Sequence, residues 1–268
     1  MKIGIIGCGF IGQTLASKAQ DLREVEEVLL MDSTPSTAEQ VASTHSKCRA
    51  VPELDGVLKE AVLVVEAANQ EAVAAYAPRV VDAGRDLLVM SVGALVDDGL
   101  WNELQAKAKV RGCKIFLPTG GLGGVDLLKS ASRAQLTEVQ LVTKKPPAAL
   151  ADVPFITEQG IDLTSLRKPL VVFEGTAREA VREFPKNINV AATVSLAGVG
   201  FDRTMVKIVA DPKMTRNYHE LVVEGRFGKM RCSVLNAPST TNPKTSYLAA
   251  LSAISTLENI VKGVWIGT

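Results

Sequence analysis

Histidine is almost absent from this chain. Its 268 residues hold two, His45 and His219, which excludes a histidine-rich centre, and no metal site is expected. Cysteine is scarce as well: Cys8, Cys48, Cys113 and Cys232 lie far apart with no CxxC pair, a pattern that suits reduced thiols better than a disulfide framework or a zinc site. Cys113 and Cys232 fall in strand-like runs and are expected in the core. No cysteine occupies an evident activating loop, so chemistry that needs a nucleophilic thiolate is disfavoured. Charge of one sign is lacking too. Thirty Lys and Arg face 29 Asp and Glu, for a formal net charge of +1, and no basic run is long enough to follow a phosphate backbone, so nucleic acid is not an expected partner. Long apolar runs are also missing: the early "IGIIG" is cut by glycine, shows no cleavage-site pattern and is far shorter than a bilayer span. Neither a signal peptide nor a membrane helix is expected, which points to the cytoplasm. Internal repeats and low-complexity tracts are absent.

What is present is ample apolar material, 47% of the residues, enough for two modest domains. "KIGII" reads as a short strand, and after Gly7, Gly9 and Gly12 come Ile11, Leu15 and Ala19 at helical spacing. In such a strand, turn and helix, Gly7 permits the turn, Gly9 clears a path for a phosphate, and Gly12 lets the helix pack closely. A GxGxxG alone is weak. Here a second apolar run, "VEEVLLMD", ends in Asp32 at the distance suited to the adenosine ribose hydroxyls, so a dinucleotide is expected at Gly7, Gly9, Phe10, Ile11, Gly12 and Asp32. A carboxylate there accepts from a free 2′-hydroxyl and repels a 2′-phosphate, favouring NAD; Ser33 and Thr34 soften that exclusion, so NADP stays open.

Further alternation follows, with strands in "AVLVVEAA", "DLLVMSVGA" and "CKIFLP" and helices in "NQEAVAAYAPRVVDAG" and "DDGLWNELQAKAKVRG". This is the pattern of a parallel sheet wound on both faces, an α/β fold of Rossmann type. Ligands sit over the carboxyl ends of such strands, which adds Ala67, Ala68, Asn69 and Gln70, then Ser91, Val92 and Gly93, to the cofactor candidates. Ordinary strand-to-helix turn chemistry accounts for any single one of these residues equally well. The expected nucleotide domain covers residues 1–117.

Beyond the glycine-rich "FLPTGGLGGVDLLKSA" the pattern changes. "LTEVQLVTKKP", "KPLVVFEG" and "RTMVKIVAD" alternate as strands, and "YHELVVEGRFGKMRCSVL" reads as a hairpin turning near Gly225 to Gly228. With helical "TAREAVREFPKN" and "INVAATVSLAG" between them, residues 118–242 are expected to form an α+β domain with a mostly antiparallel sheet. "PPAALADVPFITEQGIDLTSLRKP" is expected as a surface loop, and His45 as an exposed loop residue. The closing segment 243–268 has Leu248, Leu251, Ile254, Leu257 and Val261 near helical spacing, with Pro243 suited to its start; it is expected to run back onto the first domain. His219 shares a strand face with Leu221 and Val223. A lone histidine so placed usually just begins the strand and bonds a loop, yet histidine is the side chain best suited to exchange a proton near neutral pH.

The segments "GCGFIG", "EAANQEAV", "SVGAL", "TGGLGGVD", "VFEGTAREA", "FPKNINVAAT", "YHELVVEG" and "NPKTSYLAALS" together resemble the L-aspartate dehydrogenase family almost end to end. The resemblance implies NAD- or NADP-dependent oxidation of L-aspartate to iminosuccinate, which hydrolyses to oxaloacetate and ammonia or feeds quinolinate and NAD synthesis by hand-off to a quinolinate synthase. It also implies a homodimer or larger assembly, with the second domain serving catalysis and oligomerisation. The family's active-site histidine falls on His219, and its second-domain cofactor contacts fall near Gly121 and on Asn189. Where the family usually carries SGAIGG, this chain has TGGLGG, so Gly121 replaces an alanine and any contact there is through backbone.

Hydride transfer is expected in the cleft between the domains, with His219 as general base. Donors for two substrate carboxylates are expected among Lys186, Asn187, Lys244, Thr245 and Ser246, near expected helix starts; solvated charge explains Lys186 and Lys244 as readily. Two other classes stay open: a related oxidoreductase on another small dicarboxylate or amino acid, such as a dihydrodipicolinate reductase-like or homoserine dehydrogenase-like enzyme, and a non-catalytic NAD-binding sensor.

Overall fold

In the computed structural model, which describes residues 1–185, 188–239 and 246–268, the first apolar run forms strand β1 (Lys2–Ile6), four of whose five residues are buried. The chain divides into two compact units, one of residues 1–118 with 250–265, the other of residues 119–249 with 266–268.

The first unit alternates strand and helix: α1 (Phe10–Ala19), β2 (Glu27–Met31), α2 (Pro35–Ser43), β3 (Cys48–Ala50), α3 (Leu54–Glu60), β4 (Leu63–Glu66), α4 (Gln70–Asp82), β5 (Asp86–Val89), α5 (Asp98–Arg111) and β6 (Ile115–Phe116). Its six strands run in the order β3-β2-β1-β4-β5-β6 with every pairing parallel. That is the doubly wound Rossmann order, whose switch point lies at β1 and β4. Local chemistry supports the alternation. The buried residues of α1 are Gly12, Leu15, Ala16 and Ala19, a single stripe at helical spacing. Asn69 caps α4 by accepting from Ala72 N–H at 2.8 Å, and Asp97 caps α5 by accepting from Leu100 N–H at 3.0 Å. Gly112, at φ +71°, ends α5 in the left-handed conformation a helix stop favours.

The second unit contains α6 (Val125–Ala131), β7 (Leu136–Lys145), α7 (Pro154–Glu158), β8 (Leu170–Thr176), α8 (Ala177–Glu183), α9 (Asn189–Ala197), β9 (Met205–Ala210), β10 (Asn217–Gly225) and β11 (Gly228–Asn236). Its five-stranded sheet runs β11-β10-β7-β9-β8. Three of the pairings are antiparallel and one, β7 with β9, is parallel. The hairpin turns at Gly225 and Gly228, which pair with each other. The last helix, α10 (Tyr247–Lys262), places Ala253 and Leu257, both 0% exposed, in the core of the first unit beside Leu15 and Ala19. The expected start at Pro243 lies outside the described residues. No helix among the described residues is long and apolar enough to cross a membrane.

Three expectations need correction. Residues 146–169 are not a bare surface loop: Leu150, Val153, Ile156 and Leu163 are buried, and Phe155 meets Phe173 and Phe184 at ring-centroid distances of 6.0 and 5.2 Å. An aromatic cluster of this kind anchors the segment by apolar burial. Cys113 and Cys232 are half-buried rather than core, and Cys113 precedes β6 instead of lying within it. His45 is half-buried, its Nδ1 3.0 Å from Val41 O.

Candidate functional site

The turn from β1 to α1 shows why three glycines stand there. Gly7 has φ +94°, and a Cβ on it would lie 2.8 Å from the backbone of Ala67 and Ala68 at the end of β4. Gly12 is tighter still, since its Cβ would fall 1.9 Å from Gly7 O. Gly9 differs: a Cβ there would meet nothing within 4 Å. Neither fold nor packing therefore demands glycine at 9, while an approaching ligand would. Gly9 is also the N-cap of α1 and has no side chain to occupy the first-turn donors, so the helix start is suited to a pyrophosphate. Asp32, just past β2, accepts from Cys8 N–H at 2.7 Å through Oδ2 and from Thr34 N–H at 2.9 Å through Oδ1. Each oxygen keeps acceptor capacity, because a carboxylate oxygen takes two hydrogen bonds. The residues here thus fit a dinucleotide.

Glu66, which sequence reasoning missed, organises the next two loops. It ends β4 at 1% exposure. Its Oε1 accepts from Ala68 N–H at 2.8 Å and from Ser91 Oγ at 2.9 Å, and its Oε2 accepts from Met90 N–H at 3.2 Å and Ser91 N–H at 2.9 Å. Burial raises its pKa, and these four donors act against that rise. One carboxylate therefore sets both the Ala67–Ala68 turn and Ser91. Gln70 begins α4, while Val92 and Gly93 are buried in a short 3-10 turn over Val92–Val96. The signal in the sequence was a carboxylate closing the otherwise apolar "LVVE".

In the second unit His219 lies on β10 directly opposite Thr143 of β7. The ring is 6% exposed, and Nδ1 is 2.9 Å from Thr143 Oγ1. Burial chiefly, and the charge of Lys145 second, push the imidazole pKa down to about 3. It is neutral at pH 7. Lys145 ends β7 two residues beyond Thr143, is 5% exposed, and is itself brought by burial to about 8. Thr143 and Lys145 were also missed. Their signal is the period-two face of Val139, Leu141, Thr143 and Lys145, which is buried throughout.

The other nominated residues are more scattered. Gly121 is buried and its carbonyl accepts from Asn236 Nδ2 at 2.9 Å. A Cβ there would lie 3.2 Å from Ser246 Oγ and 3.4 Å from Asn236 Nδ2, so a side chain at 121 would crowd both. Ser246 Oγ donates to Asn236 Oδ1 at 2.5 Å, which ties this substrate candidate into the same network. Asn189 begins α9 and is exposed. Lys186, Asn187, Lys244 and Thr245 lie outside the described residues. Burial raises the thiol pKa of Cys8 to about 12 and of Cys48 to about 11; neither is a thiolate near neutrality.

A parallel sheet of Rossmann order with this glycine turn defines the class, a dinucleotide-binding protein with a second, mixed-sheet unit. Residues 7–118 match the family model described as homoserine dehydrogenase, NAD binding domain, and residues 126–260 match the model described as aspartate dehydrogenase, C-terminal. The L-aspartate dehydrogenases of Methanosarcina acetivorans and Methanosarcina mazei are 48% and 49% identical to it, each match covering 100% of both chains. The crystal structure of the Thermotoga maritima aspartate dehydrogenase superposes with a TM-score of 0.78 at 29% identity, over 100% of this chain and 99% of that one. The chain belongs to the L-aspartate dehydrogenase family.

Proposed function

We propose that this chain oxidises the CH–NH2 group of L-aspartate with NAD or NADP, giving iminosuccinate, which water converts to oxaloacetate and ammonia. Family membership over the full length supports the reaction. The observation in the structure that carries it is the buried, neutral His219 held at Nδ1 by Thr143. A neutral imidazole accepts a proton, and with Nδ1 engaged the exchange falls to Nε2, either from the substrate ammonium or from the water that attacks the imine. When bound, the nicotinamide supplies the hydride acceptor. The protein's part is to bind and orient: Gly7, Gly9, Phe10, Ile11 and Gly12 receive the pyrophosphate, Asp32 the adenosine ribose, and Ala67, Ala68, Gln70, Ser91, Val92 and Gly93 line the path beyond, with Gly121 and Asn189 as contacts from the second unit. Asp32 favours NAD over NADP because its carboxylate repels a 2′-phosphate. Lys186, Asn187, Lys244, Thr245 and Ser246 remain the nominated donors to the substrate carboxylates. We further propose a cytoplasmic homodimer or larger oligomer able to pass the imine to a quinolinate synthase.

The test is His219→Ala. Loss of a positioned acid–base group costs about 10²- to 10⁴-fold in rate, so L-aspartate oxidation is expected to fall by at least about a hundredfold while NADH still binds. A variant that binds NADH and keeps wild-type turnover refutes the role given to His219.

A further inference from the structure

Asn236 closes β11 on the sheet face that carries His219. Val234 stands opposite His219 in the pairing of β10 with β11. Residues two apart on a strand point the same way, so Asn236 is one diagonal step from the imidazole, about 7 Å along the sheet. The residue is 3% exposed. Two further segments meet its amide: Nδ2 donates to Gly121 O at 2.9 Å, and Oδ1 accepts from Ser246 Oγ at 2.5 Å. The glycine segment follows the same face, since a Cβ on Gly123 would lie 2.9 Å from Cys232 Sγ and 3.7 Å from Val234 Cγ2. Ser246 is held by its backbone as well. It pairs with Pro238 in an isolated antiparallel bridge, and the next residue, Tyr247, gives its N–H to Ala237 O at 3.0 Å. Ser246 itself is only half-buried.

The direction of each bond follows from what the atoms can do. A backbone carbonyl only accepts, so the Asn236 amide turns Nδ2 toward Gly121 and Oδ1 toward Ser246. An amide oxygen also only accepts, so the serine gives it the single hydroxyl proton. What Ser246 Oγ keeps is acceptor capacity alone. Turning that proton to a substrate carboxylate would leave the buried Asn236 Oδ1 without its donor, which is unfavourable. Ser246 therefore leaves the set of expected carboxylate donors. An ammonium has the opposite needs. It carries N–H donors, no acceptor and a positive charge, so it can give one N–H to Ser246 Oγ and keep another for the imidazole.

We propose that Ser246, its proton held by Asn236, determines specificity for an amine by accepting an N–H of the substrate's ammonium. This deepens the reading of a CH–NH2 substrate and rests on it. The test uses the full chain saturated with NAD and two probes that cannot react. One is α-methyl-L-aspartate, which has the ammonium but no hydrogen on Cα; the other is succinate, which has both carboxylates and no amine. Hydrogen bonds to charged groups are strong enough for calorimetry to show Ser246→Ala weakening α-methyl-L-aspartate at least about tenfold more than succinate, with NADH affinity unchanged. Ser246→Thr, which keeps the hydroxyl, is expected to restore most of that difference. A merely structural serine would weaken both probes alike. A smaller difference between the probes overturns the proposal, because a carboxylate donor would lose succinate as well. Loss of NADH affinity with both probes unchanged overturns it too, assigning the hydroxyl to the carboxamide of the cofactor, as does a wild type that fails to bind either probe. Should Ser246→Ala fail to fold, Ser246→Cys, close in size and only a weak acceptor, must show the same selective loss; a cysteine variant that binds both probes as wild type does overturns the proposal. Probe binding needs no turnover, so selective loss in an enzyme that leaves L-aspartate unreacted refutes the proposed function and not this site.

Discussion

A histidine kept neutral by burial makes the protein sensitive to acid. The folded pKa of His219 is about 3 against an ordinary 6.5, so below pH 6.5 the unfolded chain takes up a proton that the folded chain refuses. Stability present above pH 6.5 is therefore lost as pH falls toward 3, at up to about 1.4 kcal/mol per pH unit. Calorimetry is expected to show the melting temperature of wild type falling more steeply from pH 6.5 to 4.5 than that of His219→Asn; equal slopes would show that the ring is not held neutral. Glu66 has a different readout. Glu66→Ala removes the acceptor for three backbone donors and the Ser91 hydroxyl, so the KM for NAD is expected to rise well before kcat falls. At this scale the sequence exposed His219, a lone histidine in an alternating strand. It hid Thr143 and Lys145, because their significance depends on which residue of β10 stands opposite β7, and strand register is a property of the folded sheet. Asp32 was readable by its spacing, but its two bonds to backbone N–H groups were not.

Among elements, the β1–α1 turn separates glycine needed by the fold from glycine needed by a ligand. Gly12→Ala would drive a methyl into Gly7 O and is expected to lower the melting temperature markedly. Gly9→Ala meets no protein atom within 4 Å, so it should fold as wild type and lose about tenfold or more in NADH affinity. Equal NADH affinity, measured by fluorescence titration, would remove the turn from the binding site. The helix α10 belongs to the core of the first unit through Leu257, 0% exposed, and Leu257→Ala is expected to cost about 2–5 kcal/mol in urea unfolding. Elements with a clean period were legible: α1 from its stripe, β7 and β10 from alternation. The short α2, β3 and α3 were not, being brief and polar enough that tertiary packing decides them. The segment 146–169 misled because its apolar residues follow no single period, and their burial depends on phenylalanines distant in sequence, Phe173 and Phe184.

For the whole molecule, the first unit carries the features that suit a dinucleotide and the second carries a buried imidazole, threonine and lysine. The parallel sheet was legible from alternation, since repeated strand and helix units admit few other arrangements. The order of the second sheet was not: β7 lies between β10 and β9, and no local pattern announces such long-range pairing. The reaction came from several motifs spread over the full length, which together are far more specific than the glycine turn alone. Its most direct test is the initial rate of NADH formation by the purified chain with L-aspartate, in parallel with oxaloacetate and ammonia. The account predicts saturable NADH production with one ammonia released per NADH, faster with NAD than with NADP. Tight NADH binding without any L-aspartate-dependent reduction of either cofactor would contradict it.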